Sequence, residues 1–134
     1  MTANAQPTVQ KVMLIDDNDT DLFIHNRVLQ LAGFGKNIVS FNSPVEALTY
    51  LKQNKLEDWP DIIFLDLNMP VMNGFVFLME FNELPLADTG KCNIVILSSS
   101  NNPRDRDEMK NHNHILCFLT KPLNDKELKG VMKK

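Results

Sequence analysis

Five short apolar runs recur along the chain, separated by stretches in which apolar residues fall at helical spacing. The runs are Val12–Ile15, Ile38–Phe41, Ile62–Leu65, Ile94–Leu97 and Ile115–Leu119. The first, third and fourth are continuously apolar and bounded by polar residues, the pattern of strands buried on both faces. Their short length and β-branched content favour strand over buried helix. Between the runs, Asp19 or Thr20 caps a helix to about Ala32, with Ile24, Val28 and Leu31 at helical spacing and Gly33 as the stop. Ser43-Pro44 opens a second helix that reaches about Asn54. Gly74 to about Glu83 makes a third, closed by Pro85, and Asn102-Pro103 opens a fourth. Asn124 caps a fifth, from Asp125 to Lys134. The alternation βαβαβαβαβα predicts an α/β fold, a parallel sheet with helices on both faces and right-handed crossovers.

A chain of 134 residues is one domain and can bury a full core without a disulfide or metal staple. Residues 1–10 read as a loose polar tail and 11–134 as the domain. The net charge of −3 argues against nucleic acid as a partner. The longest apolar runs, Phe75–Met79 and Ile115–Leu119, fall far short of the roughly 20 residues of a membrane span, so no membrane insertion is expected. The first ten residues lack the basic start and apolar core of a secretory leader. Cys92 and Cys117 have no metal or redox spacing and read as reduced thiols, so a cytoplasmic location is expected.

In an open parallel sheet, ligands sit beyond the carboxyl ends of the strands. There the first run ends in Asp16-Asp17, the third in Asp66 and the fourth in Ser98, while the fifth is followed, after Thr120, by Lys121-Pro122. Three carboxylates gathered at one edge repel one another until one takes a proton or a cation enters. A hard divalent ion with oxygen ligands, Mg²⁺ in particular, relieves the repulsion and neutralises phosphoryl charge. With a lysine and a hydroxyl added, the parts suit placing a phosphoryl group on a carboxylate nucleophile. Taken singly, each residue also has an ordinary reading: Asp16, Asp17 and Asp66 as turn or cap residues, Ser98 as the start of a polar loop, Lys121 as a solvated lysine.

At these residues the chain resembles the receiver domain of two-component response regulators, the chemotaxis-Y-like family. The resemblance runs from about Lys11 to Met132 and is carried by VMLIDDND at 12–19, FLDLNMPVMNG at 64–74, VILSSS at 95–100 and FLTKPL at 118–123. It implies a doubly wound five-stranded sheet in the flavodoxin-like order 2-1-3-4-5. It implies Asp66 as phosphoacceptor, Asp17 as direct Mg²⁺ ligand, Asp16 as its acidic neighbour and Asn68 as the donor of a main-chain carbonyl to the metal. Ser98 matches the hydroxyl that binds the phosphoryl oxygen, Lys121 the phosphate-binding lysine in a usually cis Lys-Pro bond, and Phe118 the aromatic switch that moves with Ser98. The expected donor is a histidine kinase or phosphotransfer protein. The expected output is a change in the face of the fourth helix, fifth strand and fifth helix, read by a downstream protein that the sequence does not name. No separate output domain is expected. The domain turns over no external metabolite and is not read as an enzyme in the ordinary sense.

Some features depart from the family or compete with this reading. Ser99 stands where a small Ala or Gly is usual, and His114-Ile115 where Gly-Ala is common, which is expected to alter the approach to the fifth strand. The fifth helix is short, which puts the family's usual dimer mode in doubt. Phe118 lacks a tyrosine hydroxyl. His112 and His114 have no third ligand suitably spaced for a metal, and Gly33-Phe34-Gly35 follows a helix and lacks the third glycine of a dinucleotide fingerprint. Most of Phe75–Met79 is expected in the core, with one or two residues exposed, and Arg104–Lys110 on a solvated face. A partner-binding adaptor that is never phosphorylated remains open as an alternative. A small aspartyl phosphatase is disfavoured, because Asn68 replaces the acid expected two residues after the nucleophile.

Overall fold

The computed structural model describes residues 9–69, 72–99, 103–104, 107, 112 and 114–132. Five parallel strands, β1 (Lys11–Ile15), β2 (Asn37–Phe41), β3 (Ile62–Leu65), β4 (Asn93–Ser98) and β5 (Ile115–Thr120), form one sheet in the order β2-β1-β3-β4-β5. The register pairs Val12 with Ile38 on one side and with Ile62 on the other, and β3 and β4 are likewise paired on both sides, so the three continuous apolar runs are the interior strands. Successive side chains alternate between two cores. Met13, Ile15, Ile63 and Leu65 face α2 (Pro44–Gln53) and α3 (Gly74–Asn82), and Val12, Leu14, Ile62 and Phe64 face α1 (Asp19–Leu31) and the C-terminal helix (Asp125–Met132).

The helix starts follow from short polar side chains. Asn18, not Asp19 or Thr20, caps α1, its side chain accepting the Asp21 amide at 3.0 Å. The expected cap lies one residue too far in, because Asp19 is already helical. Ser43 caps α2, Asn73 caps α3, and Asn124 accepts the Glu127 amide at the last helix. Helix α1 stops at Gly33, whose φ of 66° an L side chain rarely adopts.

The buried stripe of α1 is Leu22, His25 and Leu29, while Ile24 and Leu31 are exposed and Val28 is half-buried. This corrects the stripe read from Ile24, Val28 and Leu31. The helix is apolar at positions 22, 23, 24, 28, 29 and 31, so its period selects no single face. In α3, Phe77, Leu78 and Phe81 are fully buried, worth roughly 2–3 kcal/mol each, whereas Val76 and Met79 face solvent. Trp59, just before β3, is buried at the amino-terminal edge of the sheet. Its indole N–H donates to the Leu51 carbonyl at 2.9 Å, and its ring lies 5.7 Å from that of Phe81.

The expected fourth helix falls largely outside the described residues, though Pro103, Arg104 and Asp107 are helical. The β4–β5 register is irregular at Ile94/Val95, beside the His114-Ile115 pair. Val9 and Gln10 are tied to the domain, their carbonyls accepting from Lys36. Among the described residues, no helix is long and apolar enough to cross a membrane.

Candidate functional site

Each chain reversal in this order returns a strand end to one edge, and the sequence places a polar residue there each time. Asp16 follows β1, its amide bound to the Phe41 carbonyl of β2 at 3.1 Å. Asp66 follows β3, its amide bound to the Ile15 carbonyl at 3.0 Å. The two acids therefore continue the ladders of the two central strands and inherit their rigidity. Ser98 ends β4 opposite Thr120, and its carbonyl accepts the Lys121 amide at 2.8 Å. The Lys121–Pro122 bond is cis.

These placements bring the expected residues together. Carboxylate oxygens of Asp16, Asp17 and Asp66 lie within 4.8 Å of one another. Asp16 and Asp66 are buried and Asp17 is exposed, so the pocket opens to solvent past Asp17. The Lys121 ammonium donates to Asp16 at 2.6 Å and stands 3.7 Å from Asp66. Asn68 donates its amide to Asp66 at 3.2 Å and its side-chain nitrogen to the Ser98 hydroxyl at 3.3 Å. Among the described residues, no hydrogen bond uses the Asn68 main-chain carbonyl. Ser98 is fully buried, and Phe118 is half-buried against the α2–α3 core.

Gly74 shapes the loop between acceptor and helix. A Cβ there would stand 2.6 Å from Leu67 Cδ2 and 3.1 Å from the Asp66 carbonyl oxygen, so only hydrogen fits. The Gly74 amide in turn holds the Leu67 carbonyl at 3.0 Å.

Burial, then the charge of Asp16, pushes the Asp66 carboxyl above the usual carboxylate range, against the pull of Lys121 and the Asn68 amide. Burial works to lower the Lys121 pKa, but hydrogen bonds to Asp16 and Asp21 and the charge of Asp66 outweigh it and hold the ammonium above its ordinary value. Among the described residues, one ammonium faces Asp16, Asp21 and Asp66, with Asp17 at the rim, so positive charge is under-supplied there. An oxygen-only donor set of this charge fits a hard divalent ion such as Mg²⁺.

Two residues of the site were not expected. Asp21 accepts from Lys121 at 2.8 Å, and His25, 3% exposed, lies beside the acids on the buried stripe of α1. Their i, i+4 spacing on a helix that follows Asp16-Asp17 was the available signal. His112 and His114, by contrast, serve the fold: His112 meets the Asn82 side chain at 3.4 Å, and the His114 ring lies edge-on to Phe81 at 5.4 Å.

A family profile described as the response regulator receiver domain matches residues 12–133. Response regulator Rcp1 of Synechocystis sp. is 27% identical over 87% of this chain and 80% of its own length. The crystal structure of a two-component response regulator from Cytophaga hutchinsonii is similar with a TM-score of 0.87 and 28% identity, over 94% of this chain and 96% of that one. The phosphorylated cyanobacterial phytochrome response regulator RcpA gives a TM-score of 0.73 and 29% identity, over 94% and 90%. In longer curated relatives the match spans as little as 7% of the protein.

Proposed function

The chain belongs to the response regulator receiver domain family, and on that footing we propose that it is a stand-alone signalling phosphoacceptor, charged on Asp66 by a histidine kinase or phosphotransfer protein with the help of Mg²⁺. One observation carries the reading: Asp66, on a central strand end, lies within 4.8 Å of two further carboxylates and 3.7 Å from an ammonium. The stand-alone form is supported by Rcp1 and the Cytophaga protein, of which the chain spans 80% and 96%. Phosphorylation is supported by the likeness to RcpA, whose solved form is phosphorylated.

In the proposed reaction an Asp66 carboxylate oxygen attacks phosphorus in line with the bond to the donor imidazole. The new P–O bond forms as the P–N bond breaks, and the imidazole nitrogen leaves with the electron pair. Asp16, Asp17, Asp66 and the Asn68 carbonyl would hold Mg²⁺, which supplies positive charge against the phosphoryl oxygens. Lys121 faces the transferred group with its ammonium, and the Ser98 hydroxyl exchanges its Asn68 partner for a phosphoryl oxygen. The product adds close to two negative charges at the sheet edge. Movement of Ser98 frees space into which Phe118 packs, altering the surface around β5 and the C-terminal helix for a downstream protein.

Incubation with acetyl phosphate and Mg²⁺, read by intact mass, tests this. The wild type gains one phosphoryl group and Asp66→Asn gains none. Labelling of the Asn variant would refute the assignment, and an unlabelled wild type would favour a non-phosphorylated adaptor.

A further inference from the structure

His25 is the one polar side chain on the buried stripe of α1, and it is 3% exposed. Its ring makes no hydrogen bond to any described residue. An imidazole carries at least one N–H donor, and buried polar groups of this kind are nearly always satisfied. Beside the ring lies a cavity of about 10 Å³, room for a single water. Its walls are apolar, Leu14, Phe64 and Leu97 among them, except at three places: His25, Asp16 and Asp66.

We propose that His25 is a positioning residue for the acidic pocket, acting through one buried water that accepts from the imidazole N–H and donates to the Asp16 and Asp66 carboxylates. Such a water makes three hydrogen bonds, the usual number for a buried one. It uses lone pairs left over from the contacts these carboxylates already make with the Asn18 and Asn68 amides, with Lys121 and, side chain to side chain, with each other. The other holds on the acids come from loop amides, from Lys121 and from that mutual contact. The water adds a donor from the floor of the pocket, between two like charges, and fixes how the carboxylates present their outer oxygens to a cation. His25 touches neither metal nor phosphate. It acts on their ligands, as outer-shell partners do at other metal sites.

This inference rests on the reading of the pocket as a Mg²⁺ site, and the test separates the two. Mg²⁺ is titrated into the unphosphorylated wild type, His25→Leu and His25→Gln, following backbone amide NMR shifts, with melting temperatures recorded alongside. His25→Leu is expected to weaken Mg²⁺ binding roughly tenfold, the low end for an outer-shell partner. His25→Gln, which can still bind the water, is expected to restore most of the loss. In the wild type, the ring-nitrogen signals of His25 should shift on Mg²⁺ addition while those of His112 and His114 stay put. Equal Mg²⁺ affinity in wild type and His25→Leu, or unmoved His25 ring signals, would overturn the role of His25 and leave the pocket reading standing. A wild type that binds no Mg²⁺ overturns both. Loss of melting temperature in both variants, without rescue of affinity by Gln, would reduce His25 to packing.

Discussion

Replacing Lys121 by methionine removes the ammonium and keeps most of the side-chain volume. In the wild type that ammonium lies 2.6 Å from Asp16, 2.8 Å from Asp21 and 3.7 Å from Asp66, with the lysine side chain 13% exposed. Breaking a buried ion pair by removing one partner costs about 3–5 kcal/mol. Asp21 is 33% exposed, so water screens its share. The pocket also opens to solvent past Asp17, and the net loss expected at pH 7 without divalent ions is about 2–3 kcal/mol. For a chain of this size that is a fall in Tm of roughly 10 °C.

Two further effects are expected from the loss of this charge. Added Mg²⁺ replaces the lost positive charge, so the gap between variant and wild type should shrink. Acid should shrink it too. The Lys121 pKa is raised, so its contribution is fully present below the unfolded lysine value and is lost only in strong alkali. The change on the acid side is therefore assigned to Asp66, whose raised pKa lets it take a proton as the pH falls. Urea unfolding followed by circular dichroism, at neutral and mildly acidic pH and with and without Mg²⁺, checks all three points. A deficit of constant size under every condition would refute the electrostatic reasoning and leave packing as the role of Lys121.

Asp66→Asn should raise stability at pH 7 by about 1 kcal/mol in the absence of divalent ions, because a buried charge beside Asp16 is removed. With the folded pKa raised, the cost of ionised Asp66 is present at neutral pH and is relieved as pH falls through that value, so the gap closes in acid. A urea midpoint below that of the wild type at pH 7 would contradict it. Gly74→Ala should cost about 1–3 kcal/mol, since its Cβ would stand 2.6 Å from Leu67 Cδ2 and 3.1 Å from the Asp66 carbonyl oxygen. It should also slow phosphoryl labelling, and wild-type values for both midpoint and rate would count against the contact.

The strands could be read in the sequence because a run buried on both faces has no polar interruption. The acids of the pocket could be read because a strand end fixes which edge its next residue joins. The α1 stripe could not be read in the same way. Phe23, Ile24 and Leu31 are exposed, so apolar residues encircle the helix and periodicity alone chooses no face. Asp21 and His25 were missed for a related reason. Their meaning comes from Lys121, 100 residues beyond Asp21, and from strand ends that meet only once the sheet order is known.

Trp59 has a consequence for optical work. The chain has a single tryptophan. It is enclosed at the amino-terminal edge of the sheet, with its indole N–H on the Leu51 carbonyl and Phe81 beside its ring. The acids sit at the opposite edge, after β1 and β3. Intrinsic fluorescence therefore follows collapse of the core and is blind to cation arrival. The same emission that tracks denaturation cleanly will stay flat through a metal titration, and a reporter for the pocket has to be introduced at its rim.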